Sequence, residues 1–339
     1  MSSFPLLRLP QLAFSGVIDA FDLNVIITAS FCSRKMFRLM KIFWRKARKL
    51  EINLGYFSKI WTKIIWQKGN EKEEFRINIR PLSELKEKDY ELSTIFGNTK
   101  VPSNSIPSNN SHFNVYYQND FEGIKAIAVH ITELFSSPIY RLIPDAALYP
   151  DGPRRIIDWV LERQESIEDC FVECEKMTDS ENAYVLSKCK FMKSFFLGTN
   201  YSENFQYDFH FDGEYISLKN CFWFSLNNLL SVNSRYCYVR DTKLTNRDMN
   251  TFLKFWTNLG CNRIENVTIW MERIDYSILF DGIEVEKRDR NLVRTFITPD
   301  KREMSIPGGL DITRIDGVTA TISAIRGSDD CFWMAVWKN

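Results

Sequence analysis

Histidine is scarce in this chain: 3 in 339 residues. His112, His130 and His210 lie far apart, and none has a cysteine or carboxylate at ligand spacing, so no zinc site is expected. The 8 cysteines contain no CxxC pair. Cys170 and Cys174 fall in a strand-like frame and read as buried thiols, and the others as reduced. Glycine-rich phosphate loops and a GxSxG elbow are missing, which removes the usual sequence grounds for a dinucleotide enzyme, a P-loop NTPase or a serine hydrolase. No apolar run approaches the roughly 18 residues a membrane helix needs. The opening Met1 to Pro5 lacks a basic segment followed by an apolar core. With a net charge of +1, there is no general attraction for nucleic acid or membrane. The expectation is a soluble, cytoplasmic or nuclear protein, without cofactor or metal, that is not an enzyme.

Aromatic residues are abundant: 26 Phe, 13 Tyr and 9 Trp. They can fill a thick core and leave rings for a binding face. Residues 1–49 read as three short helices. Pro10 stands at the start of the first, which carries Leu12, Val17, Ile18 and Phe21. Asp22 can cap the second, with Val25, Ile26 and Ala29. Met36, Phe37 and Met40 mark the third. The basic residues from Arg34 to Lys49 interleave with apolar ones, which reads as an amphipathic helix with a solvated face. Residues 50–164 form a connecting α/β region. Leu50, Ile52 and Leu54 alternate as a strand does, as do Phe75, Ile77 and Ile79. The polar stretch 97–114 reads as a long loop, and 121–136 and 153–166 as helices.

Residues 165–339 carry a degenerate repeat. Its last apolar positions are Val172, Leu197, Leu218, Val239 and Ile269, at about the leucine-rich-repeat period. Helical pieces lie between them. Thr178 and Glu181 make a capping box, and Thr245 precedes the Met249, Phe252, Leu253, Trp256 stripe. Trp256 reads as core. Trp270 alternates with Ile269 and is a candidate for an outward, target-binding face. Near the end, Asp316-Gly317 between alternating segments predicts a hairpin with a type I′ turn. The fold expected is α/β (α+β): three N-terminal helices, then a leucine-rich-repeat-like domain with a terminal β-hairpin.

Three segments resemble the F-box proteins of the large nematode family. Phe4-Pro5-Leu6-Leu7-Arg8-Leu9-Pro10, continuing through Ser30-Phe31-Cys32-Ser33-Arg34-Lys35, resembles the F-box. Leu244 to Trp256 and Asp311 to Ile322 resemble that family's F-box-associated domain of the second type. Asp22-Leu23-Asn24-Val25 and Ala29 depart from the pattern. The resemblance implies a substrate receptor of a Skp–cullin–F-box ubiquitin ligase. Leu6, Leu7, Leu9, Pro10, Leu12, Val17, Ile18, Ile26 and Ile27 would then face or support a Skp-type adaptor, and the C-terminal domain would hold a protein target. Two alternatives stay open: a repeat-type interaction module whose F-box has decayed, and an enzyme with a site assembled from distant residues.

Overall fold

The computed structural model describes residues 6–44, 50–68, 70–86, 90–95, 99–105, 112–146, 149, 151–298, 303–324 and 330–337. The chain is a mixed α/β protein that divides into two compact units. The first comprises Met1–Leu148 with Ile156–Ile167, and the second Tyr149–Arg155 with Glu168–Asn339.

The first unit begins with a 3₁₀ turn, Leu6–Arg8, and helices α1 (Gln11–Asp19), α2 (Leu23–Ser30) and α3 (Arg34–Phe43). Strands β1 (Leu50–Tyr56), β2 (Trp61–Lys68), β3 (Glu71–Pro81), β4 (Glu91–Ile95), β5 (Thr99–Ser105) and β6 (His112–Tyr117) follow, then α4 (Asp120–Phe135) and β7 (Ile139–Pro144). The strand order is β7-β1-β2-β3-β6-β5-β4. Ile52, Leu54, Ile64, Phe75, Ile77 and Val115 are buried, as are Ile124, Ile127 and Ile131 along α4. A Cβ added at Gly123 would meet Ile79 and Tyr117, so the absent side chain lets α4 lie directly on the sheet.

Several local expectations change here. Pro10 is the residue before the first helical turn rather than within it. The Asp22 side chain does not cap α2; instead Glu73, from β3, accepts the Leu23 N–H at 2.9 Å. The polar stretch 97–114 contains β5 and the start of β6. Its serines and asparagines pair across strands, with Ser93 and Ser103 hydroxyls 2.6 Å apart, which periodicity of apolar residues does not reveal. Phe4-Pro5, Arg45 to Lys49, Gly97-Asn98 and Ile106 to Ser111 lie outside the described residues. Within α3, Met36, Met40 and Phe43 are buried while Arg34, Lys35, Arg38 and Lys41 are exposed, the amphipathic division expected.

Helix α5 (Gly152–Leu161) straddles the division between units. The second unit then runs β8 (Ile167–Cys174), α6 (Asp179–Lys188), β9 (Met192–Thr199), β10 (Tyr215–Lys219), α7 (Leu226–Ser231), β11 (Tyr236–Val239), α8 (Asn246–Thr257), β12 (Asn266–Trp270) and α9 (Tyr276–Leu279). It closes with β13 (Glu286–Ile297), β14 (Glu303–Thr313), β15 (Thr319–Ala324) and β16 (Cys331–Trp337). Its strand order is β8-β9-β10-β11-β12-β16-β15-β14-β13. Strands β9 to β12 are parallel and adjacent in chain order; β16, β15, β14 and β13 continue antiparallel.

The repeat frame sets this arrangement. Val172, Leu197, Leu218, Val239 and Ile269 each occupy one strand of the series and are fully buried beside Cys170, Phe195, Ile216, Cys237 and Val267. Burial pushes the Cys237 thiol up to about 12. Polar side chains join successive turns. Asn220 donates to the Thr199 carbonyl at 2.8 Å and to Asn200 Oδ1 at 3.2 Å. Asn220 and Asp241 hold the same place after β10 and β11 with φ of 57° and 58°, a left-handed conformation that Asn and Asp tolerate. Thr178 caps α6, but the Glu181 side chain pairs with Arg154 instead of turning back. Thr245 and Asp248 form the full reciprocal box on α8.

The terminal hairpin is present, with a different turn. Arg314 accepts from the Gly317 N–H and donates to the Val318 carbonyl, both at 2.8 Å. Gly317 has φ of 88°, and Asp316 is not in the positive-φ region. This is a three-residue loop, a type I turn closed by glycine in a bulge, rather than type I′. Asp316 fixes it by accepting from Arg314 and the Val318 N–H.

Candidate functional site

Two surfaces carry the residues singled out in the sequence. The first is the N-terminal helical cluster. Leu12 is 89% exposed and Leu7 44%. Pro10 is exposed, and Leu9 and Val17 are half-buried. Leu6 contributes its backbone to the first 3₁₀ turn. Ile18, Ile26 and Ile27 are fully buried. They are core residues that hold the helices together, so the apolar set divides into an outer rim and an inner support. Val25 and Ile42 add exposed apolar surface.

These helices are anchored to the sheet of their own unit. Phe31 stacks on Phe113 at 5.4 Å, and its carbonyl accepts the Thr94 N–H at 2.7 Å. His130 of α4 lies between the rings of Phe31 and Phe37, with Ser30 Oγ 2.8 Å from its Nε2. Burial pushes the His130 imidazole down to about 3, so it is neutral. Lys41 pairs with Glu133 at 2.7 Å.

The second surface is the face of β8–β12 opposite the buried repeat residues. Alternation places Phe171, Phe196, Tyr215, Tyr238 and Trp270 there, all half-buried. Phe171 and Phe196 stack at 4.1 Å, with Lys219 Nζ 4.9 Å above the Phe196 ring. Tyr215 and Tyr238 are 5.4 Å apart, and Arg240 covers Trp270 at 4.8 Å. Trp270 thus faces away from Ile269, as alternation predicts. Sequence reading missed the other rings; they were legible as the positions alternating with the repeat's apolar frame. Trp256 is fully buried, as its helical stripe implied.

On the same face, beyond β12, the sheet is closed over by its last strands: Phe296, Ile306, Trp333 and Ala335 form a small core with Tyr236 and Trp337. Burial would raise the Asp311 carboxyl, but hydrogen bonds from Arg294, Thr321 and Arg288 outweigh it and hold it below the usual range. A cleft of about 660 Å³ borders this network, lined by Lys254, Gly282, Glu284, Glu286 and Asp311 among others. Asp311 is already engaged by two arginines, and the described lining also includes Thr257, Asn258 and Thr313. No three metal-ligating side chains converge among the described residues. No described helix is long and apolar enough to cross a membrane.

Residues 203–269, covering β10 to β12 and α7 to α8, match the family model described as F-box associated. Over these residues the chain is similar to F-box-associated proteins, and the relatives it matches are nematode proteins. "Skn-1 dependent zygotic transcript 15 protein" of Caenorhabditis elegans is 27% identical over 119 residues, 34% of this chain and 33% of that protein. "Uncharacterized protein F59B2.9" of the same organism is 20% identical over 231 residues, 66% of this chain and 53% of that protein. The chain thus matches about a third and about half of the length of these curated relatives. No solved structure matches it significantly. The matched segment carries Tyr215 and Tyr238 of this outward face and ends one residue before Trp270.

Proposed function

We propose that this protein is a substrate-recognition subunit of an SCF-type ubiquitin ligase, non-catalytic in itself. Residues 6–43 act as a three-helix F-box that docks on a Skp-type adaptor, which links to a cullin–RING ligase. The second unit acts as a leucine-rich-repeat-like domain that binds a target protein through the face carrying Trp270. The observation that carries this reading is the apolar rim of α1, with Leu12 89% exposed, in a chain whose later repeats match an F-box-associated family. Exposed leucines clustered at one end of a helix unit mark a partner surface. The partner expected there is protein, not nucleic acid or membrane. The physical gain is tethering: holding target and enzyme together raises local concentration to about the millimolar scale with no chemistry in this chain.

The test is co-purification of full-length protein with a Skp-type adaptor, comparing wild type with Leu7→Asp/Leu12→Asp. Adaptor capture by the wild type, lost in the variant at unchanged melting temperature, supports the reading. Equal capture by both, or none by either at micromolar concentration, overturns it.

A further inference from the structure

The first unit's sheet has a second face, opposite α4, with a composition unlike the buried one. Phe75, Ile77 and Ile79 point to the core, so Arg76, Asn78 and Arg80 point away from it. Strand pairing sets these beside His112, Asn114 and Tyr116 of β6, and Asn114 beside Asn104 of β5.

Two arrangements stand out. One is a ladder of amides across three strands. Asn78 Nδ2 donates to Asn114 Oδ1 at 3.0 Å, Asn114 Nδ2 donates to Asn104 Oδ1 at 3.0 Å, and Asn104 Nδ2 donates to the Tyr116 hydroxyl at 3.2 Å. Adjacent strands are about 4.8 Å apart, so the ladder runs about 10 Å across the sheet. Each amide nitrogen carries two hydrogens, so Asn78 and Asn114 each keep an N–H beyond the one the ladder uses.

The other is Arg76. Its guanidinium lies 4.9 Å from the Trp61 ring centre. Lys63 nearby is paired with Glu74 at 2.6 Å, and Arg80 with Glu84 at 3.7 Å, but Arg76 forms no ion pair with a described carboxylate, and its Nε is buried without an acceptor. Desolvation, and then the charge of Arg80, lower its proton affinity. A half-buried cation beside a like charge, with an unsatisfied donor, is costly unless an anion completes it. The guanidinium sits against an indole, and its planar fork matches a planar carboxylate.

We propose that this face is a docking surface for an extended acidic segment of another protein, with a carboxylate on Arg76 and backbone amides along the Asn78–Asn114–Asn104 ladder. Protein is the better fit than polynucleotide because the chain's net charge is only +1, while phosphate backbones are held by many unpaired cations together. The surface lies wholly in the first unit, so it does not depend on the ligase reading.

The test measures binding of a labelled, alternating Glu-Val peptide to the full chain by fluorescence anisotropy at low salt. A Lys-Val peptide and oligouridylate serve as comparisons. The expected result is binding of the Glu-Val peptide, weakened about tenfold or more by Arg76→Glu, and by Arg76→Gln should the first variant melt early. Failure of the Glu-Val peptide to bind the wild type, or equal binding to the variants at unchanged fold, overturns the proposal. Tighter, Arg76-dependent binding of oligouridylate overturns it in favour of a nucleic-acid surface.

Discussion

Ser30 Oγ and His130 Nε2 lie 2.8 Å apart across 100 residues of sequence, tying the second N-terminal helix to the helix that backs the sheet. The imidazole is neutral when folded, with a pKa of about 3 against an ordinary 6.5. In the unfolded chain it takes up a proton below about pH 6.5. The unfolded state then binds more protons, so stability falls as pH falls from 6.5 towards 3. Between pH 6.5 and 5.5 the loss should be about 1 kcal/mol. A His130→Phe variant, which keeps a ring between Phe31 and Phe37, should lack this slope. Denaturant titrations at the two pH values check it, and parallel slopes for both proteins would show that His130 titrates normally.

Glu73 and Asp22 make opposite predictions about the cap of α2. Glu73→Ala removes the acceptor of the Leu23 N–H and should cost about 1 kcal/mol. Asp22→Ala, whose side chain caps nothing, should stay within about 0.5 kcal/mol of wild type. The reverse order in urea midpoints would put the cap back on Asp22.

Asp311→Asn should be far more damaging. The carboxylate is 1% exposed and pairs with Arg288 and Arg294 at 2.8 and 2.7 Å. Removing its charge leaves two guanidinium groups facing an amide, with a cost of about 3 kcal/mol. Because its folded pKa is depressed, its contribution is complete above the unfolded value and fades as pH falls through the folded one. Guanidinium melts of wild type and variant should therefore converge on acidification.

Trp256 and Trp270 should separate stability from recognition. Trp256→Ala empties a fully buried site and should cost about 3–5 kcal/mol. Trp270→Ala removes a half-buried ring beneath Arg240 and should cost less than about 1.5 kcal/mol. Under the receptor proposal, quantitative mass spectrometry after pull-down should show the Trp270 variant keeping adaptor and losing target proteins. Unchanged target recovery would move the binding face elsewhere.

The second unit was the more legible in sequence. Val172, Leu197, Leu218, Val239 and Ile269 recur at a regular interval, and each burial position repeats the last. The first unit was less so. Strand β5 is built on serine and asparagine ladders, which apolar periodicity does not register. The Glu73 cap joins residues 50 apart, beyond any local motif. In the N-terminal helices, composition marked a set of apolar residues but not which of them face outward. Helices of eight or nine residues are too short for periodicity to separate exposed Leu12 from buried Ile18, Ile26 and Ile27.

The bond from Thr94 to the Phe31 carbonyl has a practical consequence. Strand β4 ends the first unit's strand series, and the end of α2 occupies one of its outward N–H groups. The helices therefore act as a seal on a sheet margin. Cutting them away would bare unsatisfied backbone and the apolar residues beneath, a template for self-association. Under the receptor proposal, an amino-terminal truncation would then lose partners through clumping as readily as through loss of a binding face, so function here is best dissected by point substitution in the intact chain.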